Sequence, residues 1–401
     1  MKAHRVISVA ATLLLLTTII YQPSTAHSQG ALTPPGPPAP TMITLAQIEP
    51  RSPISSAPFT ISVPGSYYVT TNLTVSGGDA ITIAASGVTL DLNGFTISST
   101  APSAAGNGVL LNSGLIDLTI FNGHVRGGVT NSGSGVYGGG GFGNGLFGYP
   151  QNVRVSGVSV SGCLYSGIYL GNGDSTLVES CTVRTVGNYG IAASTIKTSV
   201  AKDCGGSGIN GDQVADCRGE STGSSYGLSA NLAVNCYGYS TSSHGVVANT
   251  TLNCSGFSSG GTGLNANTAE NCQSGSISGV GLNANTALNC YGTSTSGKGL
   301  NANTAFNCQG SSSSEVGLDA AMAQNCQGSS GWFGLNASIA QNCYGSSSGG
   351  AIGLNASYIA IGCYGVSVGQ GTGLSTYIAN SCVGKCLAGT PLIFTYKYNM
   401  P

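Results

Sequence analysis

The chain has 401 residues, a formal net charge of −1, only 6% charged side chains and 64 glycines. So few cations exclude a surface built to neutralise phosphates, and nucleic acid is not an expected partner. Neutral Ser, Thr, Asn and Gly must keep the surface wet, and 14 cysteines require an explanation.

The N-terminus reads as an export signal. Lys2 and Arg5 form its positive region, VISVAATLLLLTTIIY its apolar core, and Ser24-Thr25-Ala26 an A-x-A-like cleavage site. Residues 1–26 are therefore expected to be removed, and the protein to be secreted or held at the cell surface. The alternative for the same run is an uncleaved membrane anchor, because it is long for a signal. Residues 27–43, containing ALTPPGPPAPTM, form a proline-rich extended linker that cannot enter a helix or a central strand. Folding is expected to begin between Thr44 and Phe59, and no later segment is apolar for long enough to span a bilayer.

Residues 44–204 read as a cap followed by irregular β-coils. Their charged residues include Asp91, Asp117, His124, Arg126, Arg154, Asp174, Glu179, Arg184, Lys202 and Asp203. Asp91, in LDLNGF, is placed to support the Asn93-Gly94 turn rather than a metal. His124 and Arg126 flank an inward Val125, so both should point outward, and Arg184 takes the row of Arg126. These three are the candidates for catalysis, although an outward histidine with two arginines reads first as a solvated face. Residues 132–150, SGSGVYGGGGFGNGLFGYP, are the longest insertion and are expected as a loop able to overhang a groove. They lack phosphate-loop spacing and a lysine, so nucleotide binding is not expected.

Residues 205–386 are a repeat. GLNANTAENC, GLNANTALNC and GLNANTAFNC stand 18 residues apart, and the Gly-to-Cys distance is nine in every unit except Gly353 to Cys363. The Cys-to-Gly distance drifts from four to ten, which reads as a fixed wall alternating with a surface loop. The units are too short for helix pairs and too rich in Gly, Asn and Ser. Leu282 and Ala284 alternate with Asn283, a turn follows near Asn285, and Ala287 faces in again. Each unit is therefore one coil of an all-β parallel β-helix with ~18-residue coils. Cys181 and Cys204 are expected to share the phase of the repeat, as is Gly123, whereas Cys163 falls outside it. The residues before these positions, from Asn122 through Ser180, Asp203 and Asp216 to Asn342, then form one turn column of short polar side chains. Residues 387–401 remain as a C-terminal cap or tail.

PGSYYVTTNLTVSGGDAITIAASGVTLDLNGFTI (residues 64–97) and LTIFNGHVRG (residues 118–127) resemble the opening of secreted bacterial right-handed parallel β-helix proteins of the pectate-lyase-like superfamily. The Cys-ending repeats look like a Cys-ladder branch of that group. The resemblance covers the chain from about residue 42 onward. It implies the fold and its right-handed coil far more than an activity, because the fold hosts lyases, hydrolases and adhesins.

Fourteen cysteines in an exported chain suggest a disulfide framework. Geometry points elsewhere. In-register parallel strands lie ~4.8 Å apart with Cβ vectors aligned, whereas a bridge needs Cβ atoms ~3.8 Å apart. Twelve thiols from Cys181 to Cys382 are therefore expected to face inward as a small apolar column. Axial pairing in twos, at the cost of strain, is the alternative. Zinc is disfavoured, since no C-x-x-C pair exists and a flat column cannot form a tetrahedron. No cofactor or metal is expected. Cys382 and Cys386 either bridge or close the last coil.

A pectate-type lyase needs carboxylates for calcium and a basic residue as proton acceptor. Polygalacturonase-like relatives carry N-T-D, D-D, G-H-G and R-I-K. Here N-T-A stands at Asn267, Asn285 and Asn303, SHG at His244 and TIK at Lys197, with no adjacent Asp pair. The repeat half is expected to be non-catalytic. The residues following the ladder cysteines should face outward, giving Tyr237, Ser255, Gln273, Tyr291, Gln309, Gln327, Tyr344 and Tyr364. Tyrosine faces stack on sugar rings and Gln offers paired donors and acceptors, so this row reads as a glycan-binding strip. The same row would also serve as a cross-coil ladder that only stabilises the sheet. Ice binding is the third reading, but the Thr-rich motif recurs only near Thr241 and Thr293, too sparsely for a lattice. The expectation is an exported, non-catalytic structural or surface-interaction protein whose partner is an extracellular polysaccharide. The alternative is a polysaccharide lyase or glycoside hydrolase with its site in the N-terminal coils.

Overall fold

In a unit such as that from Gly281, inward Leu282 and Ala284 alternate with outward Asn283, so the backbone extends. Asn285 and Thr286 then both point away from the core, and this double step turns the corner before Ala287 re-enters it. The computed structural model describes residues 50–399 apart from 134, 172 and 174. The expected signal, the linker and Asp174 lie outside the described residues. Among the described residues there is no helix, and strands stack in parallel into a β-solenoid of about 19 turns. Each regular coil holds a strand such as Leu282–Leu288 and a second such as Tyr291–Ser294. Successive coils are in register: Leu264, Leu282, Leu300 and Leu318 align, as do Ala269, Ala287, Ala305 and Ala323.

The second strand corrects the expected division of the repeat into wall and loop. Gly292 and Ser294, which follow the cysteine, are buried, so much of the Cys-to-Gly segment is wall. The inward serines were not singled out in the sequence, and they close the turn. The Ser294 hydroxyl donates to the Gly279 carbonyl (2.6 Å) and accepts from the Gly297 amide (2.9 Å), an arrangement repeated at Ser276 and Ser312. The true turn is only the few residues between Ser294 and Gly299. Glycine opens each unit because there is no room for more: a Cβ on Gly281 would lie 2.2 Å from the Thr293 carbonyl oxygen and 2.4 Å from that of Gly299.

The polar turn column is present. Asn235, Asn253, Asn271, Asn289, Asn307, Asn325 and Asn342 all adopt the left-handed conformation, with φ near 50°. Each amide donates to the preceding rung where the chain is regular, as in Asn289 to Asn271 (3.1 Å) and Asn307 to Asn289 (3.2 Å). That conformation costs most residues ~1–2 kcal/mol, and Asn tolerates it best after Gly. The irregular coils put Ser180, Asp216 and Gly157 there, and Gly362 takes the slot later in the chain.

Cys204 and Asp203 do not belong to these columns. Cys204 pairs with Val186 on one side and Ser221 on the other, in the column begun by Cys163. The rung between Cys181 and Cys217 is Ser199, whose hydroxyl accepts the Cys181 amide (3.1 Å) and whose amide meets the Cys217 sulfur (3.5 Å). Thr198, at φ 47°, takes the turn position assigned to Asp203. The interval from Cys181 to Cys217 is 36 residues, two full coils, and a serine occupies the middle rung. The thiol ladder is thus Cys181 followed, after Ser199, by ten consecutive rungs from Cys217 to Cys382.

All 14 cysteines are free, and all but Cys386 are buried. Each ladder thiol donates to backbone carbonyls at its corner, as Cys290 does to Ala269 (3.4 Å) and Leu288 (3.2 Å). Burial pushes the thiols of Cys163 and Cys217 up to about 12 and that of Cys181 up to about 11. The N-terminal coils are wider and filled by larger side chains, with Ile81, Leu90, Ile97, Ile120 and Phe142 fully enclosed. Asp91 supports its turn as expected: its carboxylate accepts the Asn93 amide (2.7 Å), and it pairs with Arg51 (2.9 Å). At the C-terminal end, Thr390–Ile393 and Tyr396–Tyr398 continue the stack on Thr372–Asn380.

Candidate functional site

The strand that follows each polar turn exposes alternate residues, and register makes continuous rows of them. From Thr96 the first row passes through His124, Ser159, Thr182, Val200 and Arg218 to Tyr237. It continues through Ser255, Gln273, Tyr291, Gln309, Gln327 and Tyr344 to Tyr364. The sequence-derived strip and His124 therefore lie on one line. The second row, two residues further along each strand, passes from Ser98 through Arg126, Ser161 and Arg184 to Lys202. The Lys202 ammonium reaches Glu220 on the next coil (3.9 Å), and Glu220 leads on to Tyr239 and Phe257.

One face thus changes character along its length. Its N-terminal end carries His124, Arg126, Arg184, Lys202 and Arg218, and beyond Glu220 it is rich in Tyr and Gln and carries no charge until Lys385, whose ammonium lies 5.5 Å from the Tyr364 ring centroid. Arg218 joins the two ends: its guanidinium lies over the Tyr237 ring (4.7 Å to the centroid) and binds Glu220 (2.5 Å). Arg126 and Arg184 have no carboxylate within ion-pair distance among the described residues. The tyrosines behave partly as a ladder, since Tyr344 and Tyr364 stack nearly parallel at 5.7 Å and Tyr239 stacks on Phe257 at 6.0 Å. Around Ser255 and Gly275 the ladder is interrupted. Small residues there leave a depression of about 290 Å³ bounded by Tyr237, Phe257, Gln273 and Thr293.

The glycine-rich insertion does not form a free loop throughout. Gly128–Asn131 and Tyr137–Gly140 pair as an antiparallel hairpin, and Asn144–Phe147 is wall, in register with Asn107–Leu111. The hairpin is pinned to the coils beside the cationic rows. The Tyr137 hydroxyl donates to Asp203 (2.9 Å) and lies 2.6 Å from the Thr222 hydroxyl, and the Asn131 amide donates to Asp203 (2.6 Å). Burial opposes ionisation of Asp203, yet hydrogen bonds from Asn131, Thr185, Tyr137 and Thr222 hold its carboxyl below its ordinary value. Burial, above all, raises the Tyr137 hydroxyl well above its own.

Sequence reasoning missed Lys202, Arg218 and Glu220 as members of this face. Placing Cys204 on the ladder gave the Lys202 coil the wrong phase, for which the 36-residue interval was the available signal, whereas Arg218 directly follows ladder residue Cys217 and was missed because the row was begun only at Tyr237. Phe257 and Tyr239 were missed because only the residue directly after each cysteine was followed. The chain matches no protein-family model and no curated protein sequence.

Proposed function

We propose that this chain is an exported, non-catalytic β-helix protein of the pectate-lyase-like kind, with a right-handed coil, that binds extracellular polysaccharide along the face just described. The observation that carries the reading is the unbroken register of the outward row from His124 to Tyr364, which joins a cationic end to an aromatic and amide-bearing one. A linear polymer laid along the axis meets a new side chain every ~4.8 Å, and many weak contacts then add. Tyrosine faces supply stacking, Gln supplies paired hydrogen bonds, and the arginines favour chains that bear carboxylates or sulfates.

Two features support the non-catalytic reading. Glycoside hydrolysis uses two carboxyl groups on opposite sides of the scissile bond. Among the described residues, the carboxylates next to this face are committed, Glu220 to Arg218 and Lys202, and Asp203 to the hairpin. His124 stands outward between Thr96 and Ser159, with no carboxylate among its cross-strand partners to orient it.

Binding to insoluble and gel-embedded polysaccharides, compared between the natural protein and Tyr291→Ala or Arg184→Ala, tests the proposal. Each variant should bind several-fold more weakly with its melting temperature kept. Unchanged binding in both would remove this face from the account.

A further inference from the structure

On a different wall, where each coil turns at Asn285, two rows of asparagine run side by side. The inner row holds Asn265, Asn283 and Asn301, the outer Asn249, Asn267, Asn285 and Asn303, and the backbone of the alanine column between them forms the floor. The space above is a groove of about 370 Å³, and it continues into a second of about 290 Å³ that shares Asn301, Ala302 and Asn303 with it. We propose that this groove is a second ligand site, and that it takes a neutral β-linked polysaccharide chain lying along the solenoid axis.

The amides are held in one orientation. Asn283 donates to Asn265 and Asn301 to Asn283, each at 2.7 Å, and in the outer row Asn285 donates to Asn267 and Asn303 to Asn285. An asparagine side chain has two N–H donors and two acceptor lone pairs. The ladder uses one of each, which leaves one donor and one acceptor per rung at a fixed pitch. Side chains already fixed by their neighbours lose little entropy when a ligand arrives. The axial bonds alone do not account for a double row, since the turn column at Asn289 is laddered by a single row.

The pitch and the charge select the ligand. Rungs repeat every ~4.8 Å, close to the advance of one β-linked pyranose unit, whereas an extended peptide repeats its facing side chains every ~6.6–6.8 Å and would fall out of step. Lys298, at the edge of the groove, is bound to Asp319, so among the described residues the groove is neutral overall and offers nothing to a polyanion. Hydroxyl pairs on both edges of a sugar chain meet donors and acceptors on both banks. Asn336 extends the inner row by donating to Asp319 (2.7 Å), which lengthens the track beyond three rungs.

Affinity electrophoresis of the whole chain in gels containing a soluble neutral β-glucan tests the site, with a polyuronate gel as comparison. Asn285 is exposed, so Asn285→Arg should fold normally and overhang the groove. The natural protein and Tyr291→Ala should be retarded by the β-glucan, and Asn285→Arg should bind roughly tenfold more weakly. The triple variant Asn267→Ala, Asn285→Ala, Asn303→Ala should lose retardation while keeping its circular dichroism spectrum. Absence of retardation by the β-glucan, or equal retardation of Asn285→Arg, would overturn the proposal. So would inhibition of ice growth that Asn285→Arg abolishes, because the rows would then order water rather than a chain. Loss of β-glucan binding in Tyr291→Ala alone would assign that ligand to the aromatic face instead.

Discussion

A single inserted residue should have very different effects at three places in one coil. Placed between Ala287 and Leu288, an added serine takes the outward slot of Leu288. Leu288 then moves into the left-handed slot of Asn289, and Asn289 into the buried slot of Cys290. Leucine in that conformation costs ~1–2 kcal/mol. An asparagine buried without its partners costs ~1–3 kcal/mol. The sum, ~2–5 kcal/mol, should lower Tm by roughly 4–10 °C. Between Asn285 and Thr286 the outcome should differ, because the chain already holds such an insertion. Ser357 and Tyr358 stand where the neighbouring coil has only Ser338, and Tyr358 swings out to 63% exposure while Ile359 stays in register. The turn between the buried serine and the glycine that opens the next unit is also elastic, with three residues between Ser330 and Gly334, four between Ser294 and Gly299 and five between Ser347 and Gly353. Insertions at the corner or between Ser296 and Gly297 should each cost no more than about 0.5–1 kcal/mol. Thermal melting of the three variants in one buffer is the assay. Equal losses from the wall and the corner insertions would refute this account of the coil.

Buried thiols should resist alkylation at pH 8 in the native protein and react once it is denatured, and mass spectrometry that found axial disulfides would contradict the packing account. Native-state values of about 11 for Cys181 and about 12 for Cys163 and Cys217 lie above the ordinary 9.0, so the unfolded chain loses these protons first. Stability should therefore be unaffected by these groups below pH 9 and should fall as pH rises from there toward 12; a flat urea midpoint over that window would count against it. His244 stacks on Tyr226 at 5.7 Å, its Nδ1 accepts the Thr262 amide (3.0 Å), and burial lowers its pKa. Its NMR titration midpoint should fall below 6.5, and its contribution to stability should be lost as pH falls through the acid range; a midpoint at or above 6.5 would be inconsistent with the buried neutral ring. Asn289→Ala should cost ~1–2 kcal/mol in chemical denaturation, and Asn289→Gly less, since only the alanine must bear the left-handed conformation; the reverse order would remove backbone strain from the argument.

Much of the fold was legible because a strict repeat states its own geometry. Leu282, Ala284 and Ala287 keep the in-out pattern in every unit, and Asn289 marks the one turn that needs a positive φ. Reading failed where identity and position part company. Cys204 is a cysteine in the wrong column, and Ser199 is the rung that is not a cysteine, so following residue type lost the phase that counting residues keeps. The inward serines were also hidden, because Ser in a Ser/Gly-rich stretch looks like loop until its hydroxyl is seen to bridge two backbone groups. The outward row after each cysteine was readable from alternation alone. That includes Arg218, which follows Cys217; the extension of the row to His124, and its pairing with the Arg126 row, depended on register through irregular coils, which no local pattern encodes. The asparagine groove was in view as the N-T-A positions, but only the stacked coils bring Asn265 beside Asn267 and Asn283 in one channel.

The most direct test of polysaccharide binding without catalysis follows one polymer through one experiment. The purified chain is incubated with a panel of neutral and acidic polysaccharides, with and without calcium, and each mixture is passed through size-exclusion chromatography with light scattering. The account predicts that protein co-elutes with at least one polymer and that the polymer's mass distribution stays unchanged over days. A polymer shortened by the natural protein but left intact by a variant lacking His124, Arg126 and Arg184 would make it an enzyme, and no co-elution with any polymer would leave the face without its proposed ligand.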